Sequence, residues 1–292
     1  MSECRLCPRN CGVHRDRGEV GFCGASSEMR IARAAPHFWE EPILSGTNGA
    51  GTVFFSHCNM KCVYCQNKKI SRSGAGHVVS VEELAEVFLD LQGQGCHNID
   101  LVTPTHYSDK IARSIEIARK NGLVIPTVYN CGGYESVDAL RRLEGLVDIY
   151  MPDLKYFRDD IAVRYSTAPD YFNIAAAAID EMYRQTGRAV VAEDGLMKRG
   201  VLVRHLVLPK RLLDSKRIMD YLSDTFGDRI FISLMSQYTP VGVDERFSEL
   251  LSGIDMAKYA SLVEYCARRG MENVFIQEEG AAKESFIPDF EE

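Results

Sequence analysis

The sequence has no apolar run approaching the roughly 18 residues that a membrane-spanning helix needs. It opens Met1-Ser2-Glu3-Cys4, without the basic segment and apolar core of a secretory signal. Both absences predict a cytoplasmic protein with no membrane partner. A basic balance is missing too: 34 Lys and Arg stand against 41 Asp and Glu, a formal charge of -7. Nucleic acid is therefore not expected as a partner, because phosphates favour a basic surface. Tryptophan is reduced to Trp39, and there is no low-complexity tract. Cysteine, by contrast, is plentiful. Seven of the 10 cysteines fall in two close groups within the first 65 of 292 residues, a pattern that suits metal binding in a reducing compartment better than disulfides. Cys96, Cys131 and Cys266 stand apart and read as buried packing thiols.

The first group is Cys4, Cys7, Cys11 and Cys23, spaced C-x2-C-x3-C-x11-C among the turn-forming Gly12, Gly18, Gly21 and Gly24. Four thiolates complete either a tetrahedral zinc site or an iron–sulfur cluster. Spacing leaves the two open, with zinc slightly favoured as a structural staple. His14 and His37 read as ordinary polar residues. Residues 25–50 read as a connector, with Trp39 as the anchor that packs a metal lobe on the main domain and Glu40 and Glu41 as solvated charge.

The second group, Cys58-Asn59-Met60-Lys61-Cys62-Val63-Tyr64-Cys65, follows the strand-like run Thr52-Val53-Phe54-Phe55. Three thiolates on a four-iron cubane would leave one iron open to a non-protein ligand. From residue 51 strand and helix signals alternate: strands near 51–56, 98–102, 124–129, 147–151, 201–208 and 229–234, and amphipathic helices near 81–94, 108–121, 136–144, 170–187, 213–226 and 256–269. Ser80 with Glu83 predicts a capping box, Asn121-Gly122 a helix stop, residues 189–198 a hairpin, and Glu291-Glu292 a frayed end. The expected fold is α/β, a partial (β/α)6 TIM-like barrel over residues 51–292 with a small four-cysteine metal-binding lobe and connector over 1–50. With 46% hydrophobic residues the chain can bury such a core. Function then belongs at the carboxyl ends of the strands.

At the first of these strand ends, C-x3-C-x2-C with Tyr64 before the last cysteine resembles the signature of the radical S-adenosylmethionine (SAM) enzymes. The resemblance implies that Cys58, Cys62 and Cys65 hold a [4Fe-4S] cluster whose open iron chelates SAM. SAM is then cleaved to methionine and a 5′-deoxyadenosyl radical that abstracts a hydrogen atom from substrate, and Tyr64 lies near the adenine. Within that superfamily, Met151-Pro152-Asp153-Leu154-Lys155 resembles a segment of the pyruvate formate-lyase activating enzyme and its activase relatives.

By that likeness Lys155 approaches the SAM carboxylate, and Met151 and Asp153 help bind a monovalent cation. Asn130-Cys131 stands where further cation ligands are expected. Arg204 and Gln237 match residues that face SAM, although an ion pair would equally explain Arg204. Thr103-Pro104-Thr105 replaces a Gly-Gly-Glu-Pro segment that binds the SAM amino group, so Thr103 and Thr105 are candidate contacts. His106 and Tyr107 read as hydrogen-bonding residues rather than substrate contacts.

The implied activity is hydrogen-atom abstraction, with a glycyl radical enzyme as candidate protein substrate and flavodoxin or ferredoxin as electron donor. One alternative is a radical SAM enzyme acting on another peptide, RNA or a small molecule. Another, of a different class, is a non-catalytic iron–sulfur redox module.

Overall fold

β-Branched and aromatic runs become strands, and the strands form one sheet. The computed structural model describes residues 3–277. Its strands are β1 (Met29–His37), β2 (Ala50–Phe55), β3 (His77–Val79), β4 (Ile99–Val102), β5 (Thr127–Cys131), β6 (Ile149–Pro152), β7 (Val190–Val191), β8 (Met197–Leu206), β9 (Phe231–Met235) and β10 (Val274–Ile276). The sheet order is β10-β9-β8-β6-β5-β4-β2-β1-β3, with β7 hairpinned onto β8. From β2 to β10 neighbours along this path run parallel. The sheet does not close, as expected of a partial TIM-like barrel.

The helices are α1 (Pro42–Ser45), α2 (Lys68–Ser73), α3 (Val81–Gly93), α4 (Ser108–Lys120), α5 (Val137–Arg141), α6 (Asp159–Ser166), α7 (Tyr171–Thr186), α8 (Leu212–Phe226) and α9 (Met256–Arg268). Every residue of β2, β5 and β6 is buried, which follows when helices cover a parallel sheet and leave no strand face in water. In α3 the buried Leu84, Phe88 and Leu91 lie three or four residues apart and form the stripe that meets the sheet. Each such burial contributes roughly 1.5–3 kcal/mol.

Three differences from the sequence reading have physical causes. Residues 29–37 form an antiparallel strand on β2, pairing Ile31 with Phe55 and His37 with Ala50 around a bulge. Arg30 and Arg33 broke the apolar alternation that would have revealed it. The third strand begins later than expected, because Pro126 cannot donate to a ladder and the amides of Val124 and Ile125 bond to Gln92 Oε1 at 2.7 and 3.2 Å. Asn130 and Cys131 therefore sit within β5. Trp39 is no packing anchor: it is 61% exposed, because Pro42 starts α1 and turns Glu41 rather than Trp39 inward. The expected fraying of Glu291-Glu292 lies outside the described residues. Among the described residues, no helix is long and apolar enough to cross a membrane.

The capping box at Ser80 and Glu83 forms in both directions. Ser80→Ala should lower stability by about 1 kcal/mol, read as a lower urea midpoint with an unchanged slope.

Candidate active site

The second cysteine group leaves β2 through two left-handed residues that are not glycine, His57 (φ 75) and Lys61 (φ 59), each costing about 1–2 kcal/mol. The surroundings secure this turn. His57 N–H donates to Ile70 O at 2.8 Å, and Arg72 Nη2 donates to Cys62 O at 3.0 Å and Lys61 O at 3.2 Å, so α2 seats the loop. Each thiol has a polar neighbour: Met60 N–H lies 3.4 Å from Cys58 Sγ, Ser71 Oγ 3.4 Å from Cys65 Sγ, and Ser166 Oγ donates to Cys62 Sγ at 2.9 Å. Behind Ser166 stands a relay of hydroxyls, with Tyr156 OH 2.6 Å from Ser166 Oγ and Tyr64 OH 2.6 Å from Tyr156 OH. Burial, followed by the neighbouring Cys62, pushes the Cys58 thiol up to about 12. Binding metal as thiolate must therefore expel protons.

Across the cavity, the ends of β5, β6 and β8 carry a second cluster. Arg204 donates from Nε to Asp153 Oδ1 (3.1 Å), from Nη2 to Asn130 Oδ1 (2.6 Å) and from Nη1 to Glu40 Oε2 (3.3 Å). Lys155 Nζ pairs with the other oxygen of Asp153. Burial pushes the Asp153 carboxyl up, but the charges of Lys155 and Arg204 outweigh it and hold that carboxyl below its usual range. Burial raises Glu40, and Asp100 beside it adds to the rise.

Glu40 and Glu41 were expected in solvent and are in fact enclosed. Glu40 is 12% exposed, and Glu41 Oε1 accepts from Ser233 Oγ at 2.7 Å. The segment before α1 folds across the β8 and β9 ends, which local sequence did not signal.

Two of the three thiols, those of Cys62 and Cys65, a ring of opposed charges and two tyrosines thus share one cavity of about 250 Å³. Its walls include Cys62, Cys65, Tyr64, Lys155, Arg204 and Gln237, with Trp39 at its rim. Residues 52–191 match the profile of the Radical SAM superfamily.

The chain is 28% identical over 250 residues to the uncharacterized protein MJ0674 of Methanocaldococcus jannaschii, covering 82% of this chain and 67% of that protein. Among solved structures, HydG, a maturase of the [FeFe]-hydrogenase, aligns with a TM-score of 0.53 and 15% identity over 78% of this chain and 51% of its own. SuiB of Streptococcus suis, solved with its precursor peptide SuiA, aligns with a TM-score of 0.52 and 11% identity over 77% and 47%. The chain therefore spans about half the length of these two, and the likeness is one of fold.

The fold places the expected residues unevenly. Tyr64, Asn130, Asp153, Lys155, Arg204 and Gln237 all line the cavity. Thr103 and Thr105 are not among its walls. Thr103 takes φ 61 and donates its amide to Asn130 O, while Thr105 Oγ1 donates to Glu135 Oε1 at 2.6 Å. The turn that carries no carboxylate of its own is thus met by one from the next loop.

That loop can sit so low only through Gly133 (φ +78), where a β carbon would lie 2.2 Å from Asp153 O. The two side-chain oxygens the resemblance assigned to a monovalent cation, on Asn130 and Asp153, are both engaged by Arg204. His106 Nε2 meets Ser56 O at 2.7 Å, away from the cavity.

The site residues suit the groups that the matched profile implies. Three soft thiols on one loop, Cys58, Cys62 and Cys65, suit an iron–sulfur core. The charges of both signs and the Tyr64–Tyr238 ring pair, 6.0 Å between centroids, suit a molecule bearing an amino-acid head and an aromatic base.

Glu135 is fully buried and accepts from Thr105 and Tyr129; burial raises it to about 7. Folded protein then holds a proton that unfolded chain releases above its ordinary value of 4.5. Its contribution is full below that value and is lost as pH rises to about 7. Glu135→Gln should flatten the fall in melting temperature between pH 5 and pH 8, removing a slope on the order of 3 kcal/mol.

Proposed function

We propose that this chain is a radical SAM enzyme, with a [4Fe-4S] cluster on Cys58, Cys62 and Cys65 and SAM in the adjoining cavity. The observation that carries the reading is the shared cavity, in which Cys62 and Cys65 of the β2 loop share walls with Lys155, Asp153 and Arg204. When bound, the cluster and SAM supply one-electron cleavage of SAM and a carbon radical that takes a hydrogen atom from substrate.

The chain's own residues do the rest. Lys155 keeps N–H donors beyond the one it spends on Asp153, and these suit a carboxylate. Arg204 stands in the role of a fixed cation: its guanidinium locks Asp153 and Asn130, so the acidic ring needs no added ion. Tyr64 and Tyr238 offer faces for adenine, and the Gln237 amide offers hydrogen bonds at the rim. Thr103 and Thr105 shape the turn that carries the β4 end toward Glu135. Enclosure by the β strands and the Glu40 segment excludes water from the reacting groups.

For the substrate we favour a glycine within a polypeptide, which is activation of a glycyl radical enzyme. The cavity opens past the exposed Trp39, leaving room for an extended segment to enter. Flavodoxin or ferredoxin is the class of electron donor that such chemistry requires. An anaerobic pull-down with SAM loaded should recover a glycyl radical enzyme. Turnover of SAM with small molecules alone and no such capture would redirect the substrate assignment.

Two further outcomes test the core reading. Reduced with dithionite, the reconstituted protein should convert SAM to 5′-deoxyadenosine, and Cys58→Ala, Cys62→Ala or Cys65→Ala should each abolish it. A cluster-loaded protein that yields none sinks the proposal. Lys155→Met should weaken SAM binding by roughly tenfold to a hundredfold in a calorimetric titration, with the iron content unchanged.

A further inference from the structure

The N-terminal cysteines fold against the back of the radical SAM loop, on the side away from the cavity. Cys4, Cys7, Cys11 and Cys23 line one small cavity together. Phe22 N–H lies 3.4 Å from Cys11 Sγ and Ala25 N–H 3.5 Å from Cys23 Sγ, the amide-to-sulfur contacts that tune an iron–sulfur centre. Four soft thiols around one cavity can ligate such a centre.

Two bridges join the sets. Arg9 donates from Nε to Asn59 O at 2.8 Å, next to Cys58, while its guanidinium lies 3.8 Å from the centre of the Phe22 ring, next to Cys23. In the second bridge, Gly24 follows Cys23 and rests on His57, which precedes Cys58; a β carbon at Gly24 would come within 3.3 Å of His57 Nδ1. One van der Waals gap therefore separates residues bonded directly to ligands of each set. Cys11 is exposed, whereas Cys62 is buried and, with Cys65, faces the cavity that SAM and substrate would fill.

We propose that Cys4, Cys7, Cys11 and Cys23 hold a second iron–sulfur cluster, which takes electrons from a low-potential one-electron carrier protein at the Cys11 face and passes them to the cluster on Cys58, Cys62 and Cys65. The carrier loses one electron, the N-terminal cluster gains it, and that cluster is re-oxidised as it reduces its neighbour; no bond or proton is exchanged. Electrons thus enter without crossing the substrate cavity. The inference rests on the cluster assignment made above for the β2 loop.

The test is anaerobic reconstitution of the full chain with iron, sulfide and zinc all present. We expect about eight iron per chain and, on full reduction, two electron paramagnetic signals broadened by their mutual coupling. Stopped-flow mixing with reduced flavodoxin should then reduce the second-loop cluster about tenfold or more slowly in Cys11→Ser than in the unaltered chain, since an oxygen ligand shifts the entry potential. Dithionite should reduce that cluster equally well in both.

The coupling is read on the unaltered protein, so misfolding of the variant cannot hide the answer. About four iron with one zinc would overturn the relay and leave the proposed function standing. Eight iron with equal flavodoxin rates, or with uncoupled signals, would also overturn it. Absence of iron from Cys58, Cys62 and Cys65 would instead overturn the function and the relay together.

Discussion

One buried guanidinium organises the mouth of the barrel. Arg204 reaches from β8 to Asp153 at the end of β6, to Asn130 on β5 and to Glu40 ahead of α1. A charge so enclosed is tolerable only because each face meets an oxygen. The same contacts bind three strand ends and the N-terminal segment into one wall. Removing the guanidinium would leave Asp153, Glu40 and Asp100 crowded without their shared counter-charge, a loss of roughly 3–5 kcal/mol for a broken buried pair. Lys155 depends on this arrangement too, because Asp153 aims it while Arg204 aims Asp153.

The opposite wall is organised by hydroxyls. Tyr64, Tyr156 and Ser166 line up toward Cys62, tying the loop to α6 and the segment before it. Val63 N–H to Tyr165 O at 2.8 Å adds a backbone tie to the same helix. A loop carrying two left-handed residues is thereby made rigid, which is what a site must be if thiols are to meet a preformed core without reorganising. Rigidity on one wall and fixed charge on the other leave the cavity between them as the adaptable part.

Most of the parallel sheet was legible because its strands are short apolar runs separated by amphipathic helices of ordinary length. The hairpin before β8, the capping box at Ser80 and the helix stop at Asn121 were legible from local chemistry. What was missed shared one cause, namely that it depended on partners distant in sequence. β1 reads as polar until β2 lies beside it. Glu40 and Glu41 read as solvated until the ends of β8 and β9 close over them. Glu135 carries no local motif, and only the approach of Thr105, 30 residues away, gives it a role.

Sequence alone determined the chemistry available to this protein: seven clustered cysteines, a three-thiol loop after a buried strand, and an Asp-Leu-Lys strand end. Spacing along the chain sets which thiols a loop can gather, and that is a local property. Tertiary structure alone decided which charges face one another across the cavity, that Arg204 occupies the oxygens of Asn130 and Asp153, and that the N-terminal cysteines lie directly behind the loop that follows β2. Those are contacts between residues tens to more than a hundred positions apart, and only the folded sheet brings them within hydrogen-bonding or van der Waals range.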